Sequence, residues 1–522
     1  MSRTACLLVS ELPWAAVARA HPELAGRPLA VAAGSGPRAD VVALSPEARD
    51  AGVRLPCTVA QARTACAALE VRRTSAPLES AARRALLDVA LSASPRAETA
   101  PVLTGLYAAE AAVYLDARGT GSLFGSEAGL VAALAGRARR VGLPAAVGLA
   151  GSRGVARIAA RRRMLAWRPT AGEDGPTEVV PPDGEARYLG PLPLDLFDPP
   201  DPLAEALTRY GIHRVRDLLR LPRRALLSRL GEDAARLVDL ARGRDPAPPP
   251  GAPRALGFEE AIDLEHALDR LEPLLFVLSG LLSRLGERLT CRGLACAELE
   301  VQLGLAGGGR DARRVGVGAP TTDPRLLLRL LALSLGARPP AAEIESVSIA
   351  TEGLPPRGDQ LDFFRPAGPA PAALGRTLAE LEALCGPGRV GRPAVVDGHR
   401  PDAFALAPFT PGSGPPTGVA CREAPPPYAT PTVRALRPPV AARVRTAGGQ
   451  PRFVQSAVAQ GEVLYAAGPW RTTGQWWCEE GRDDPGGRFA FDHYDVATGD
   501  GSVVRLRFDA LTQRWEIDAV YD

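Results

Sequence analysis

Apolar residues in the first third of the chain fall into short runs, separated by polar turns and by stretches with helical spacing. Ala5 to Val9, Leu29 to Ala33 and Val41 to Leu44 are bounded apolar runs, and their length predicts buried strands. Pro46 to Ala51 and Val59 to Cys66 predict short helices, and Ala81 to Leu91 a longer one. Val113 to Asp116 predicts a strand ending in a Gly-rich turn. Helix Leu130 to Val141, strand Ala145 to Leu149 and helix Arg153 to Arg163 follow.

Beyond this mixed block the pattern changes character. Residues 185–245 carry helical spacing, with a tight glycine turn in Tyr210-Gly211-Ile212-His213-Arg214-Val215 and a second break at Gly231. A helix-hairpin-helix and a plain helical bundle both fit that stretch. Residues 255–351 alternate: a Leu-rich helix from about Leu268 to Leu289, strands Leu294 to Leu303 and Arg313 to Val317 joined by Gly307-Gly308-Gly309, a helix with Asp323 at its cap and Pro324 in its first turn, and a strand Glu343 to Ala350. Residues 441–522 read as antiparallel β. Val504, Leu506 and Phe508 alternate with Arg505 and Arg507, and Gly499-Asp500-Gly501 supplies a hairpin turn. Trp470, Trp476, Trp477 and Trp515 lie here, suited either to protein contacts or to the core of a β module. Proline-rich stretches at Pro246–Pro253, Pro355–Pro371 and Pro411–Pro431 divide these blocks.

Composition narrows the function classes. With 522 residues, 46% hydrophobic and 23% charged, the chain is an ordinary globular protein of several domains. A net charge of +3 provides no strong overall field toward DNA. Every basic residue is arginine, which GC-rich coding explains as simply as phosphate binding does. The eight cysteines form no Cys-x-x-Cys pair and the five histidines do not join them, so neither a zinc site nor a disulfide framework is expected. No signal-peptide layout and no membrane span are read from the sequence, and a cytoplasmic, nucleoid-associated protein is expected.

The chemistry-bearing segment is Ala109-Glu110-Ala111-Ala112-Val113-Tyr114-Leu115-Asp116. It resembles the palm strand of Y-family (translesion, UmuC-like) DNA polymerases, which reads Ser-Ile-Asp-Glu-Ala-Tyr-Leu-Asp. Ala111 and Ala112 fall on the acidic pair. Matched on Ala15-Ala16-Val17, the family's first catalytic Asp falls on Val9, and a one-residue slip puts it on Ser10. Phosphoryl transfer on this scaffold uses a pair of Mg²⁺ ions, which need oxygen ligands that Val9, Ala111 and Ala112 do not offer. The resemblance therefore implies no catalytic residue, no metal and no cofactor.

Other segments fit the same frame. Val42 to Val53 resembles the fingers motif Ala-x-Asn-Tyr-Glu-Ala-Arg-x-x-Gly-Val, keeping Arg49 and placing Pro46 where the family has Tyr. Trp14 falls on the aromatic gate against ribonucleotides, and Arg157 on a phosphate-contacting Lys. Trp14, Arg49 and Arg157 are thus remnants of a nucleotide pocket. Arg153, Arg157 and Arg161 repeat every four residues and share one helix face, expected to meet DNA phosphate or to be a solvated face. Gly211, His213 and Arg214 at the hairpin turn are the other expected DNA contacts, since backbone N–H groups there can donate to phosphate.

The implied fold is α+β and multidomain: palm and fingers (1–168), a helical thumb with helix-hairpin-helix (185–245), a βαβ-type little finger (255–351), a Pro-rich linker (352–440) and a C-terminal antiparallel β module (441–522). Gln360-Leu361-Asp362-Phe363-Phe364 in the linker resembles the bacterial clamp-binding peptide Gln-Leu-x-Leu-Phe. Gln360 suits a polar notch, and Leu361, Phe363 and Phe364 an apolar groove, while Asp362 keeps the peptide soluble.

Together these features resemble the ImuB-type subunit of the bacterial mutasome, a Y-family homologue without polymerase activity. The resemblance implies a non-catalytic scaffold for translesion synthesis in the SOS response. Its partners would be primer-template DNA, held weakly, the sliding clamp, an error-prone C-family polymerase and a RecA-like accessory protein. The rival is an active polymerase with relocated ligands, for which Glu11, Glu110 and Asp116 are the acidic candidates. A DNA-binding repair protein unrelated to polymerases would rest on the helix-hairpin-helix alone.

Overall fold

The computed structural model describes residues 2–101, 107–167, 173–245, 250–251, 257–356, 371–386, 388–395, 404–409, 432–474 and 488–521. It divides into two compact units, 1–387 and 388–522.

The first unit opens with β1 (Thr4–Val9), α1 (Leu12–Ala20), β2 (Leu29–Ala32), β3 (Val41–Leu44), α2 (Pro46–Asp50), α3 (Val59–Ala65), β4 (Glu70–Arg73), α4 (Ala76–Leu91), β5 (Ala97–Thr99), β6 (Ala111–Asp116), α5 (Glu127–Arg140), β7 (Ala146–Ala150), α6 (Arg153–Ala166) and β8 (Thr177–Val179). The palm-like sheet has the order β5-β6-β1-β7-β8. Its central strands β1 and β6 are buried along their whole length, as runs of apolar residues require when both faces are covered. One face packs under α1, α4 and α5 through Leu7, Val113, Leu86 and Leu134. The other packs under α6 through Leu8, Ala156 and Ala160. Gly148 on β7 sets that second contact. A Cβ there would come within 2.2 Å of the Ala156 carbonyl oxygen and 2.6 Å of the Ala160 nitrogen, so only glycine lets the helix lie this close.

A smaller sheet, β3-β2-β4, forms the fingers-like part with α2 and α3. Local chemistry starts both helices: Ser45 caps α2 by accepting from Ala48 N, and Thr58 with Gln61 makes a capping box at α3.

The thumb-like part comprises α7 (Glu185–Leu189), α8 (Asp201–Arg209), α9 (Val215–Leu219) and α10 (Arg223–Ala241). Gly211, at φ +73°, turns the chain between α8 and α9. Gly231 breaks α10 with non-helical angles, matching the break expected there.

The little-finger-like part runs β9 (Phe258–Leu268), α11 (Leu271–Arg292), β10 (Ala295–Leu305), β11 (Arg310–Thr321), α12 (Pro324–Ala337), β12 (Ile344–Thr351) and β13 (Gly353–Leu354). The βαβ expectation becomes a βαββαβ unit whose sheet, ordered β11-β10-β12-β9, is antiparallel throughout. Strand β9 lies outside the elements expected from the sequence, and its Glu260 is buried. A further helix, α13 (Pro371–Cys385), follows inside the stretch read as a proline-rich linker, and its Ala379 is buried in this block's core.

The second unit holds a short hairpin, β14 (Arg392–Ala394) with β15 (Ala405–Ala407), and a closed barrel of β16 (Val433–Ala447), β17 (Gln450–Gln455), β18 (Gln460–Gly474), β19 (Phe489–Thr498), β20 (Val503–Asp509) and β21 (Arg514–Tyr521). Strand β16 begins at Val433, ahead of residue 441, where the module starts in the sequence reading. Val504 and Leu506 point into the barrel core with Val496 and Ile517. Trp515 packs against Phe508 and Tyr494, whereas Trp470 is half exposed; Trp476 and Trp477 lie outside the described residues.

Candidate functional site

The β1–β6 ladder brings the expected palm positions together. Val9 pairs with Ala111 and Leu8 with Ala112. Side chains alternate along a strand, so Val9 and Ala111 share the face under α4 and α5, and Ala112 joins Leu8 and Cys6 on the face under α6. All three positions are buried and apolar, at 1%, 2% and 2% exposure for Val9, Ala111 and Ala112. None carries an oxygen that could ligate a hard cation.

The acidic residues nearby are occupied by arginine. Glu110, one residue before β6, turns its buried carboxylate toward α6. There Arg157 Nε donates at 2.6 Å, and Arg161 donates from Nε at 2.8 Å and from Nη2 at 3.0 Å. Glu11, just after β1, pairs with Arg49. Burial pushes the Glu11 carboxyl above its usual range, while the Arg49 guanidinium opposes that shift. Asp116 pairs across the β1 end with Thr4, at the far end of β6 from Ala111. Hydrogen bonds from Arg118 hold its carboxyl below the ordinary range. Among the described residues no group of three or more His, Cys, Asp or Glu side chains gathers where it could hold a metal ion.

The nucleotide-pocket remnants divide. Val9, Glu11, Trp14, Pro46, Arg49 and Trp167 line one small cavity of about 110 Å³. Small-molecule sites usually occupy roughly 300–1,000 Å³, so this space falls short of a nucleoside triphosphate. Arg157 does not line this cavity and is bound to Glu110.

The arginine stripe on α6 differs from its expectation. Arg153, Arg157 and Arg161 do share one face, but that face is turned into the protein. The Arg161 side chain is 4% exposed, donates to the Leu196 carbonyl and lies 3.7 Å from the Tyr107 ring centroid. Arg153 pairs with Glu98 and lies over the Tyr114 ring. The spacing gave the shared face correctly. Its direction depends on Glu110 and Glu98, which are far away in sequence, so these three guanidiniums brace the interior and do not form a phosphate-facing stripe.

The hairpin residues Gly211, His213 and Arg214 are exposed. Gly211 N donates to Thr208 O within the turn, while Leu194 N donates to His213 O and Val215 N to Leu192 O, tying it to the segment before α8. Arg209, Arg214, Arg216 and Arg220 are exposed around it. The open face of the little-finger-like sheet is different in charge. By register it carries Glu298 and Glu300 on β10, Arg310 and Arg314 on β11, and Glu259 and Asp263 on β9. Arg314 is paired with Glu300, and Arg84 with Glu259, so carboxylates outnumber guanidiniums on this face. The segment Gln360-Leu361-Asp362-Phe363-Phe364 lies outside the described residues, between β13 and α13.

This geometry defines a polymerase-type palm and fingers whose paired central strands carry no carboxylate at Val9, Ala111 or Ala112. Residues 13–161 match the impB/mucB/samB family model, and the chain carries a domain of that family there. Over 393 residues it is 28% identical to Protein ImuB of Caulobacter vibrioides, covering 72% of this chain and 80% of that protein. It is also 28% identical over 360 residues to DNA polymerase IV of Halorhodospira halophila, covering 66% of this chain and 93% of the relative. Among solved structures it is similar to DinB from Sulfolobus solfataricus, at 17% identity and a TM-score of 0.39, over 68% of this chain and 100% of that one. No helix among the described residues is long and apolar enough to cross a membrane.

Proposed function

We propose that this chain is a non-catalytic scaffold for translesion synthesis, acting in DNA repair and induced mutagenesis. It contacts primer-template DNA weakly through the exposed thumb-like turn at Gly211, His213 and Arg214. It docks on the sliding clamp through Gln360 to Phe364 and brings an error-prone C-family polymerase, with a RecA-like accessory protein, to damaged DNA. The observation that carries this reading is the pairing of Val9 with Ala111, next to Ala112, in strands that would otherwise hold the metal ligands. The arginine partners of Glu11, Glu110 and Asp116 support it further. So does the likeness to Protein ImuB, which extends well past the palm.

A second reading, an active DNA-directed DNA polymerase with relocated ligands, draws on the likeness to DNA polymerase IV proteins. It requires Glu11, Glu110 or Asp116 to leave an arginine for a cation.

The scaffold reading is tested by a pull-down of the full chain with purified sliding clamp. The parent is expected to be retained, and Phe363→Ala with Phe364→Ala to lose retention. Equal binding by parent and variant contradicts clamp docking through this motif.

A further inference from the structure

The seam between the palm-like and little-finger-like parts contains an ionic network that no sequence motif announced. Glu260 on β9 is fully buried. From the palm side, Arg19 on α1 grips it with both terminal nitrogens, Nη1 to Oε2 at 2.9 Å and Nη2 to Oε1 at 2.8 Å. From its own block, Arg284 Nε donates at 3.1 Å and Arg288 Nη1 at 2.9 Å. Arg288, 1% exposed, also reaches back into the palm: its Nε donates to Asp88 on α4 at 2.8 Å, and Arg292 donates to the other oxygen of Asp88 at 3.1 Å. Arg84 on α4 pairs with Glu259 at the edge. Apolar contact continues beside the charges, where Ile262 touches both cores and Cys291 packs on the palm core.

We propose that this network fixes the little-finger-like block to the helical back of the palm, so that these two parts move as one rigid body. The physical reason is directional. Arg19, Arg284, Arg288, Glu260 and Asp88 are buried, and separating the blocks would part Glu260 and Asp88 from their cross-seam guanidiniums. Deleting one partner while the seam stays closed leaves an uncompensated buried charge, which is far costlier than the loss of a surface bridge, so the palm-side partners weigh on whether the seam closes. The bidentate fork between Arg19 and Glu260 also fixes orientation as well as distance. The inference is independent of whether the palm is catalytically silent.

A protease site inserted between Gly251 and Gly257 of the full chain tests the joint. After cleavage, the halves are expected to co-elute on size exclusion, and to do so equally in 1 M NaCl, because buried pairs are little screened. Separation of the cleaved parent halves overturns the proposal. The double variant Arg19→Gln with Asp88→Asn removes only palm-side partners. Circular dichroism and the exchange protection of α4 and α11 report whether each half remains folded. With both folded, the halves are expected to associate about tenfold or more weakly. Association as tight as that of the parent would show that the ions do not make the joint, which also overturns the proposal. If the double variant unfolds, Arg19→Lys, which keeps the charge and loses the bidentate fork, takes its place with the same two outcomes.

Discussion

Arg161 holds the carboxylate of Glu110 at 2.8 Å, in a position where both side chains are almost wholly buried. The strand that would present metal ligands instead spends its nearest acid on an internal brace between β6 and α6. The family frame survives around a site with different chemistry.

Removing that acid should therefore damage the fold. Glu110→Gln leaves Arg157 and Arg161 buried without their counter-charge, a loss of about 3–5 kcal/mol. Chemical denaturation should record it as a lower midpoint with an unchanged slope. A Mg²⁺-dependent rise in the parent's melting temperature that is absent from the variant would point to a cation at Glu110 and against the brace.

The two sets of expected DNA contacts should separate by stability. Arg161→Ala should lower stability through the same buried pairing. Arg214→Ala, on the exposed turn, should change stability by no more than about 0.5 kcal/mol. It should instead weaken DNA binding and reduce the salt slope by about one. Fluorescence anisotropy across a salt series, alongside melting curves, checks both. A stable Arg161→Ala protein with a loss of DNA affinity would restore the phosphate-facing stripe.

Gly148→Ala probes the closeness of α6 to the sheet. The added methyl meets backbone atoms of Ala156 and Ala160, which cannot swing aside. The expected cost is about 1–3 kcal/mol, typical of overpacking, read as a fall in thermal midpoint. A neutral result would mean that α6 sits farther from β7.

Acid sensitivity should trace partly to Glu260. Burial alone would raise its carboxyl, but the Arg19 guanidinium, helped by Arg288 and Arg284, holds it down at about 2 from a usual 4.5. A depressed folded-state value contributes stability above the unfolded value and loses it as pH falls through the folded one. The loss should thus spread from about pH 4.5 down to about pH 2, amounting to roughly 3 kcal/mol. Denaturation curves of the parent and Glu260→Gln across that window should converge at the acid end. Parallel curves throughout would contradict the assignment.

The legible parts of the molecule were local. Apolar runs gave β1, β3 and β7; Asp323 marked a helix start; and the motif around Tyr114 placed Ala111 and Ala112 on the palm-like strand. The parts that were missed depend on partners distant in sequence. Strand β9 is anchored by Glu260, which reads as a surface residue until Arg19, Arg284 and Arg288 surround it. The α6 arginines have the spacing of a phosphate-binding face, and Glu110, just before β6, and Glu98 on β5 turn it inward. Helix α13 lies in a stretch whose prolines suggested a linker, although Pro371 falls at its first position, where a helix tolerates proline. Barrel closure between β16 and β21 joins the two ends of the module, which alternation along one strand does not reveal.

The most direct measurement is primer extension by the purified full chain on undamaged and lesion-bearing templates, with Mg²⁺ and with Mn²⁺. The palm described here, with apolar side chains at 9, 111 and 112, predicts no nucleotide incorporation with either metal. Robust incorporation that disappears in Glu11→Ala would contradict it and assign the chain to the catalytic polymerases.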